Sequence, residues 1–299
     1  MKSLIIGTRG SPLALAQVQI IRGLLEKAVR TRPLETKIIK TSGDNFTNLS
    51  LIAGGGKGLF TKEIEDQLVR EEIHVAVHSL KDLPTVLPDG LTIGAVPPRE
   101  DPHDVLISKK FQSIQELPGG ARVATSSIRR RAQLLALRPD LQIEEIRGNV
   151  ETRLRKLGDS DALDALILAA AGLRRLGLWK KFGNFQWQEI GFDVMIPAVG
   201  QGAIACEVRA ADTGTLDALA GINDVITASC TTAERVYLQA LGGGCQVPYA
   251  AHATVEGERL HLLGATFGHD GKNVRRVEIV GTKDNPRDVG ERAAKQVLA

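Results

Sequence analysis

Two α/β domains with mainly parallel sheets, followed by a small α+β domain, are predicted from three features of the sequence. Short apolar runs alternate with helical stretches from Lys2 to Val96, the pattern of strand–helix–strand units. The alternation restarts after Pro97-Pro98-Arg99-Glu100-Asp101-Pro102, a stiff polar break. Beyond Gly221 it gives way to one helix, three strands and a last helix. The 299 residues, 43% apolar and 24% charged, supply material for more than one core.

The elements follow in order. Lys2–Ile6 reads as a short buried strand. Ser11-Pro12 opens a helix, with Ser as N-cap and Pro at the first helical position. Leu13, Gln17, Ile20 and Leu24 form its stripe. Thr36–Thr41 is a strand, 42–58 a glycine-rich polar loop, Thr61–Glu71 a helix, and His74–His78 and Leu91–Val96 are strands. In the second series, Asp104–Ser108, Arg122–Thr125, Leu141–Ile146 and Ala165–Leu168 are strands. Ser126 or Ser127 caps a helix running to Leu137, and Val150–Leu157 is another. The C-terminal region has a helix near Thr231–Leu241 and three strands with turns at Glu256-Gly257 and Asp270-Gly271. Its last helix starts after Asn285-Pro286.

Composition excludes several function classes. No stretch reaches the roughly 20 apolar residues of a membrane helix, and the N-terminus lacks a signal-peptide pattern, so a cytoplasmic protein is expected. Cys206, Cys230 and Cys245 form neither a Cys-x-x-Cys pair nor a zinc-type cluster; no metal or disulfide is expected. Cys206 reads as a buried small residue. Net charge is +3, but residues 119–182 hold 13 Lys/Arg against 7 Asp/Glu. With 4% aromatics and the arginines scattered over several elements, a pocket for small anions fits better than a nucleic-acid surface.

The motifs carry the chemistry. Ser126-Ser127 precedes Arg129 and Arg130 at a helix N-terminus, which suits a carboxylate or phosphate and equally suits a well-capped helix with solvated arginines. Arg147 lies just past a strand end, and Arg153, Arg155, Arg174 and Arg175 add to the cluster. Gly54-Gly55-Gly56-Lys57-Gly58 fails the P-loop pattern, having Gly58 where Ser or Thr is required; it reads as a lid carrying Lys57 or as a plain surface loop. His78-Ser79-Leu80-Lys81-Asp82 follows a strand, and an ionised Asp82 there can stabilise a cation developing on a ligand. His78 reads as structural. Pro197-Ala198-Val199-Gly200-Gln201-Gly202 reads as a hinge in which Gln201 donates to a ligand, or as a linker. Thr8-Arg9-Gly10-Ser11 faintly echoes Thr125-Ser126-Ser127-Ile128-Arg129-Arg130. Leu241-Gly242-Gly243-Gly244-Cys245-Gln246-Val247-Pro248 places a cysteine where glycines allow close approach.

Taken in this order, with Gly55-Gly56-Lys57-Gly58-Leu59-Phe60, Arg147-Gly148-Asn149 and Ala171-Gly172-Leu173-Arg174-Arg175-Leu176-Gly177, the motifs resemble the porphobilinogen deaminase (hydroxymethylbilane synthase) family over nearly the whole chain. The resemblance implies two periplasmic-binding-protein-like (type II) domains plus a small α+β domain. It places domain 1 at 1–98 with 198–220, domain 2 at 99–197 and domain 3 at 221–299. It implies a transferase of tetrapyrrole biosynthesis that joins four porphobilinogen units head to tail, releasing ammonia each time. The primer it implies is a dipyrromethane cofactor, thioether-linked to Cys245. Asp82 matches the catalytic aspartate. Lys81, Asp82, Thr125, Ser126, Ser127, Arg129, Arg130, Arg147, Gly148 and Gln201 match cofactor-binding positions. Arg9, Ser11, Lys57, Phe60, Ser79, Arg153 and Arg175 match substrate-binding ones. A monomer that hands its product to uroporphyrinogen-III synthase is also implied, as are relatives running beyond the position of Ala299. From the residues alone, a non-catalytic anion-binding protein and a cysteine-nucleophile enzyme remain open. The missing export signal argues against the first. The lack of a histidine near Cys245 in sequence argues against the second.

Overall fold

The computed structural model describes residues 3–28, 32–45, 61–243 and 247–299. Lys57, Phe60 and Cys245 lie outside them. The chain divides into two compact units, Met1–Arg99 with Ala203–Ala228 and Glu100–Gly202 with Ser229–Ala299. Two crossings, at 99/100 and 202/203, fall near the expected 98/99 and 197/198. The third falls inside a helix at 228/229, so the C-terminal region groups with the second α/β region.

The first unit contains β1 (Leu4–Arg9), α1 (Pro12–Ala28), β2 (Leu34–Ile39), α2 (Ser42–Asn45), α3 (Lys62–Val69) and β3 (Val75–Ser79). A 3-10 turn (Leu80–Asp82) and β4 (Leu91–Ala95) follow. The second unit continues with β5 (Asp104–Ser108), β6 (Arg122–Ala124), α4 (Ile128–Leu137), β7 (Gln142–Glu144), α5 (Val150–Asp159) and β8 (Ala165–Ala169). Then come α6 (Ala170–Arg175), α7 (Leu178–Lys181) and β9 (Gln186–Ile190). β10 (Ile204–Arg209) and α8 (Thr213–Ala220) return to the first unit, and α9 (Val225–Ala240) follows. β11 (Tyr249–Glu256), β12 (Arg259–Thr266), β13 (Arg275–Thr282) and α10 (Pro286–Leu298) complete the chain.

The sheets are mixed rather than mainly parallel. In the order β2-β1-β3-β10-β4, β1 pairs parallel with β2 and β3, and β10 runs antiparallel to β3 and β4. In β7-β6-β8-β5-β9, β6 pairs parallel with β7 and β8, and β5 runs antiparallel to β8 and β9. In the first sheet the antiparallel strand β10 enters from a distant stretch of chain, and in the second β5 opens the series yet inserts between β8 and β9; periodicity along one stretch reveals neither. Both sheets share one topology, the type II periplasmic-binding-protein arrangement. β1 and β6 occupy equivalent central places, so the echoed turns after them are structural equivalents. The third sheet, β11-β12-β13, is antiparallel, with Tyr237, Leu260, Leu262, Val289 and Ala293 in its core.

The buried residues of α1 are Ala14, Gln17, Val18, Ile21 and Leu25, so of the expected stripe only Gln17 is buried; Ile20 is 41% exposed. One residue is about 100° of helix, and the two stripes differ by that much. Leu4, Ile6, Val75, Val77, Ile204 and Cys206 complete this core. Burial pushes the Cys206 thiol up to about 12, so it packs as a small apolar residue.

The glycines before Cys245 have a local cause. Gly242 takes a positive φ, 65°. Its N–H donates to Gln239 O at 2.9 Å, and Gly243 N–H donates to Leu238 O at 3.0 Å. This is the paired hydrogen bonding that closes a helix C-terminus on a left-handed glycine. A methyl on Gly243 would lie 2.6 Å from Leu238 Cδ1 and 2.9 Å from Tyr249 Cδ2. These two glycines end α9 and pack against its last turns.

Candidate active site

In the first unit a pocket opens at the carboxyl ends of β1 and β3, where open α/β sheets take their ligands. It encloses about 420 Å³ including its open mouth. The end of β1 contributes Arg9 and the turn after it Ser11, whose hydroxyl accepts from Ala14 N–H at 3.3 Å and so caps α1. The end of β3 contributes Val77, His78 and Ser79, and the 3-10 turn contributes Asp82. The turn is fixed by Leu80 N–H donating to Ala203 O (3.0 Å) and Leu83 N–H to Leu80 O (3.2 Å), with Leu80 and Leu83 buried. Asp82 thereby projects exposed from a rigid base. Lys81 is half-buried on the same turn but is not among the lining residues.

Gln17 and Thr61 also line this pocket, and the sequence reading assigned neither to a site. Gln17 is 2% exposed and its Nε2 donates to Ser79 Oγ at 2.8 Å. Its signal was a polar residue inside an apolar stripe. The Thr61 hydroxyl is buried beside Glu65 and opposes the rise of that carboxyl.

In the second unit the equivalent turn follows β6. Ser127 caps α4, its hydroxyl accepting from Arg130 N–H at 3.4 Å. Thr125 Oγ1 accepts from Ser127 N–H at 3.2 Å, and Ser126 Oγ donates to Ile146 O at 2.5 Å. Arg129 and Arg130 point inward and converge on Asp104, which is fully buried at the start of β5. Arg130 Nε and Nη2 reach Asp104 Oδ1 at 3.0 and 2.7 Å, and Arg129 Nη2 reaches Oδ2 at 2.7 Å. Gln201 Nε2 donates to the same Oδ1 at 2.9 Å and to Pro102 O at 2.7 Å. Burial works against the Asp104 charge, but the two guanidiniums and Gln201 outweigh it and hold the carboxyl far below the usual range. Asp104 is thus the counter-ion that the sequence reading missed.

Arg153 and Arg175 differ. Arg153 Nε donates to Gly148 O at 2.8 Å, and Arg175 Nη2 donates to Gly202 O at 2.7 Å. Among the described residues neither forms an ion pair with a carboxylate. Burial lowers the pKa of both; the charge of Arg130 adds to this for Arg153, while Glu100 opposes it for Arg175. Arg175 Nε is buried with no hydrogen-bond partner. Arg147, partly exposed, lies 3.4 Å from Glu145 Oε2. The unit therefore offers half-buried guanidiniums that an anionic ligand would neutralise.

Asp101, His103 and Glu189 bring possible metal ligands within 4.8 Å of one another. Arg174 already pairs with Asp101 (2.8 Å) and Glu189 (2.6 Å), so their charges are met without an ion.

Residues 4–217 match the family described as "Porphobilinogen deaminase, dipyromethane cofactor binding domain", and residues 228–299 match "Porphobilinogen deaminase, C-terminal domain". The porphobilinogen deaminase of Geobacillus sp. (strain WCH70) is 48% identical over 299 residues, all of this chain and 94% of that protein. That of Pelobacter propionicus is 46% identical over 298 residues, covering 100% and 94%. Among solved structures, a Salmonella typhimurium periplasmic binding protein of high arginine specificity aligns with TM-score 0.43 at 13% identity, over 76% of this chain and 94% of that one. The Escherichia coli aliphatic sulphonate binding protein aligns with TM-score 0.44 at 13% identity, over 80% and 70%.

Proposed function

The chain belongs to the porphobilinogen deaminase family, and we propose that Asp82 is its catalytic carboxylate and Cys245 the attachment point of its dipyrromethane. The enzyme is a transferase of tetrapyrrole biosynthesis, forming hydroxymethylbilane from porphobilinogen. The observation that carries the site assignment is the convergence of Arg9, Ser11, Ser79 and Asp82, from two separate strand ends, on one pocket.

Dipyrromethane and the growing chain bear acetate and propionate groups. The second unit fits such a polyanion: among the described residues the half-buried Arg153 and Arg175 have no carboxylate partner, and Arg175 Nε has no hydrogen bond. When bound, the cofactor supplies the primer, a pyrrole ring whose free α-carbon accepts the first substrate unit. Arg147 and Ser126 hold its carboxylates, and Arg153 and Arg175 hold those of the substrate units added to it. Arg129, Arg130 and Gln201 act through Asp104, which keeps their donors fixed in the β5–α4 wall. Thr125, Ser127 and Gly148 shape the backbone there, while Lys81, on the 3-10 turn of the first unit, offers an ammonium to a cofactor carboxylate. Arg9, Ser11 and Ser79 hold the incoming substrate's carboxylates, with Lys57 and Phe60 contributing from outside the described residues.

At each condensation the substrate's aminomethyl C–N bond breaks and ammonia leaves with the electron pair. The positive charge left behind spreads onto the pyrrole nitrogen. Asp82 accepts a hydrogen bond from that N–H and stabilises the charge as it develops, which is worth most if the carboxylate is held before the reaction begins. The 3-10 turn provides that fixity.

We place this activity in the cytoplasm, in a monomer that hands its product to uroporphyrinogen-III synthase. Among the described residues no helix is long and apolar enough to cross a membrane. The functional division we propose is three-part, domain 3 at 221–299 supplying Cys245 from a region with its own sheet. Intact-protein mass tests the tether. Holoprotein from cells that make porphobilinogen should exceed the sequence mass by one dipyrromethane, mapped to Cys245. An unmodified Cys245 in active protein would remove it from this role.

A further inference from the structure

Behind the wall of the Asp82 pocket lies a group of ionisable side chains that the mechanism above does not use. Glu207 on β10 is fully buried, and neither of its carboxyl oxygens accepts an aligned hydrogen bond among the described residues. Its one ion-pair neighbour is His78, whose Nε2 stands 3.1 Å from Glu207 Oε2. His78 sits at the end of β3, opposite Ala205 of β10, and lines the same pocket as Asp82. Glu65 on α3 is 7% exposed and completes the group. Burial raises the Glu65 carboxyl above its ordinary value, and the charges of Glu207 and Asp66 add to this; Thr61 and His78 oppose it without prevailing. The charged groups around His78 are thus Glu207 on β10, Glu65 and Asp66 on α3, and Asp82 and Arg9 at the pocket.

A buried carboxyl without aligned hydrogen bonds is costly and calls for a reason. Packing does not supply one, since an apolar residue would fill the same space. An imidazole backed by a buried carboxylate, on a residue that lines a ligand pocket, is the arrangement of a general base. Each condensation generates a proton for such a base. As the new carbon–carbon bond closes, the attacking ring carbon still carries its hydrogen. That C–H bond must then break, its electron pair restoring the aromatic ring.

We propose that His78, oriented by Glu207, takes up this proton. The imidazolium formed pairs with the Glu207 carboxylate. The proton then passes to the ammonia released in the same cycle, which leaves as ammonium, so the site returns to its starting state. His78 is the catalytic residue here; Glu207 is a positioning residue. The inference rests on the proposed activity of the Asp82 pocket.

The experiment is the pH dependence of ammonia release from porphobilinogen by the holoenzyme, wild type against His78→Gln and Glu207→Gln, with melting temperatures recorded. Wild-type kcat should fall on an acid limb, because an imidazole that is already protonated cannot accept the ring proton. His78→Gln should lower kcat about 100-fold or more, leave KM within a few fold, and flatten that acid limb. Glu207→Gln should move the limb to lower pH, because the carboxylate that favours the imidazolium is gone. A flat wild-type kcat from about pH 5.5 to 8 overturns the proposal without any variant. So does a folded His78→Gln enzyme with the wild-type limb, or an unmoved limb in Glu207→Gln. Wild-type holoprotein that releases no ammonia would instead refute the activity itself.

Discussion

Asp104→Asn isolates the ion cluster that organises the second unit. The substitution keeps the side chain's shape and one acceptor oxygen but removes the charge facing Arg129 and Arg130. Both guanidiniums are nearly fully buried, at 5% and 6% exposure, and their only ion-pair partner among the described residues is Asp104. Breaking a buried pair from one side costs about 3–5 kcal/mol, because the remaining charges stay buried without compensation. At about 2–4 °C per kcal/mol for a unit of this size, melting should fall by roughly 6–20 °C. The two tryptophans, Trp179 and Trp187, both lie in the second unit, so tryptophan fluorescence in urea reports its unfolding selectively. The pH dependence has a definite sign. The folded carboxyl is held below its unfolded value, so its stabilisation is complete above an unfolded pKa of about 4 and is lost as pH falls toward the folded value. The gap between wild type and Asp104→Asn should be constant from about pH 5 to 8 and narrow below about pH 4. A gap under about 1 kcal/mol at pH 7, or one unchanged at pH 3, would refute the claim that this carboxylate neutralises both arginines.

Two further outcomes are expected. Asp82→Asn should lower kcat for ammonia release about 100- to 1000-fold while leaving the melting temperature unchanged, since Asp82 is exposed; near-normal turnover would exclude the assigned role. Gly202 has φ of 86°, and a methyl there would collide with the carbonyl oxygen of Glu100. Gly202→Ala should therefore destabilise by at least about 2 kcal/mol and weaken substrate binding by displacing the carbonyl that anchors Arg175, seen as a raised KM.

Much of the fold was legible because strand and helix periods are local. Asp104–Ser108 emerged with the expected limits, and α4, α5 and α10 began where their caps or proline put them. β10 was missed as a strand, since Ala203-Ile204-Ala205-Cys206 follows a glycine-rich crossover and carries no alternation. The α1 stripe was misplaced because Leu13, Ile20 and Leu24 are as apolar as the residues that face the sheet. Only the partner surface distinguishes the two faces, and it also brings Gln17 to Ser79, 62 residues away.

The order of the motifs determined the family, because residue type and sequence position suffice for that. Tertiary structure decided which cations are already neutralised. Arg130 meets Asp104 from 26 residues away and Gln201 meets it from 97, whereas Arg153 and Arg175 meet no carboxylate among the described residues. It also set His78 beside the buried Glu207 carboxylate, 3.1 Å away and 129 positions later in the chain. The reason is the same in both cases. A charge's effect depends on its burial and on the partner beside it, and both are set by chain segments that meet only when the sheets assemble.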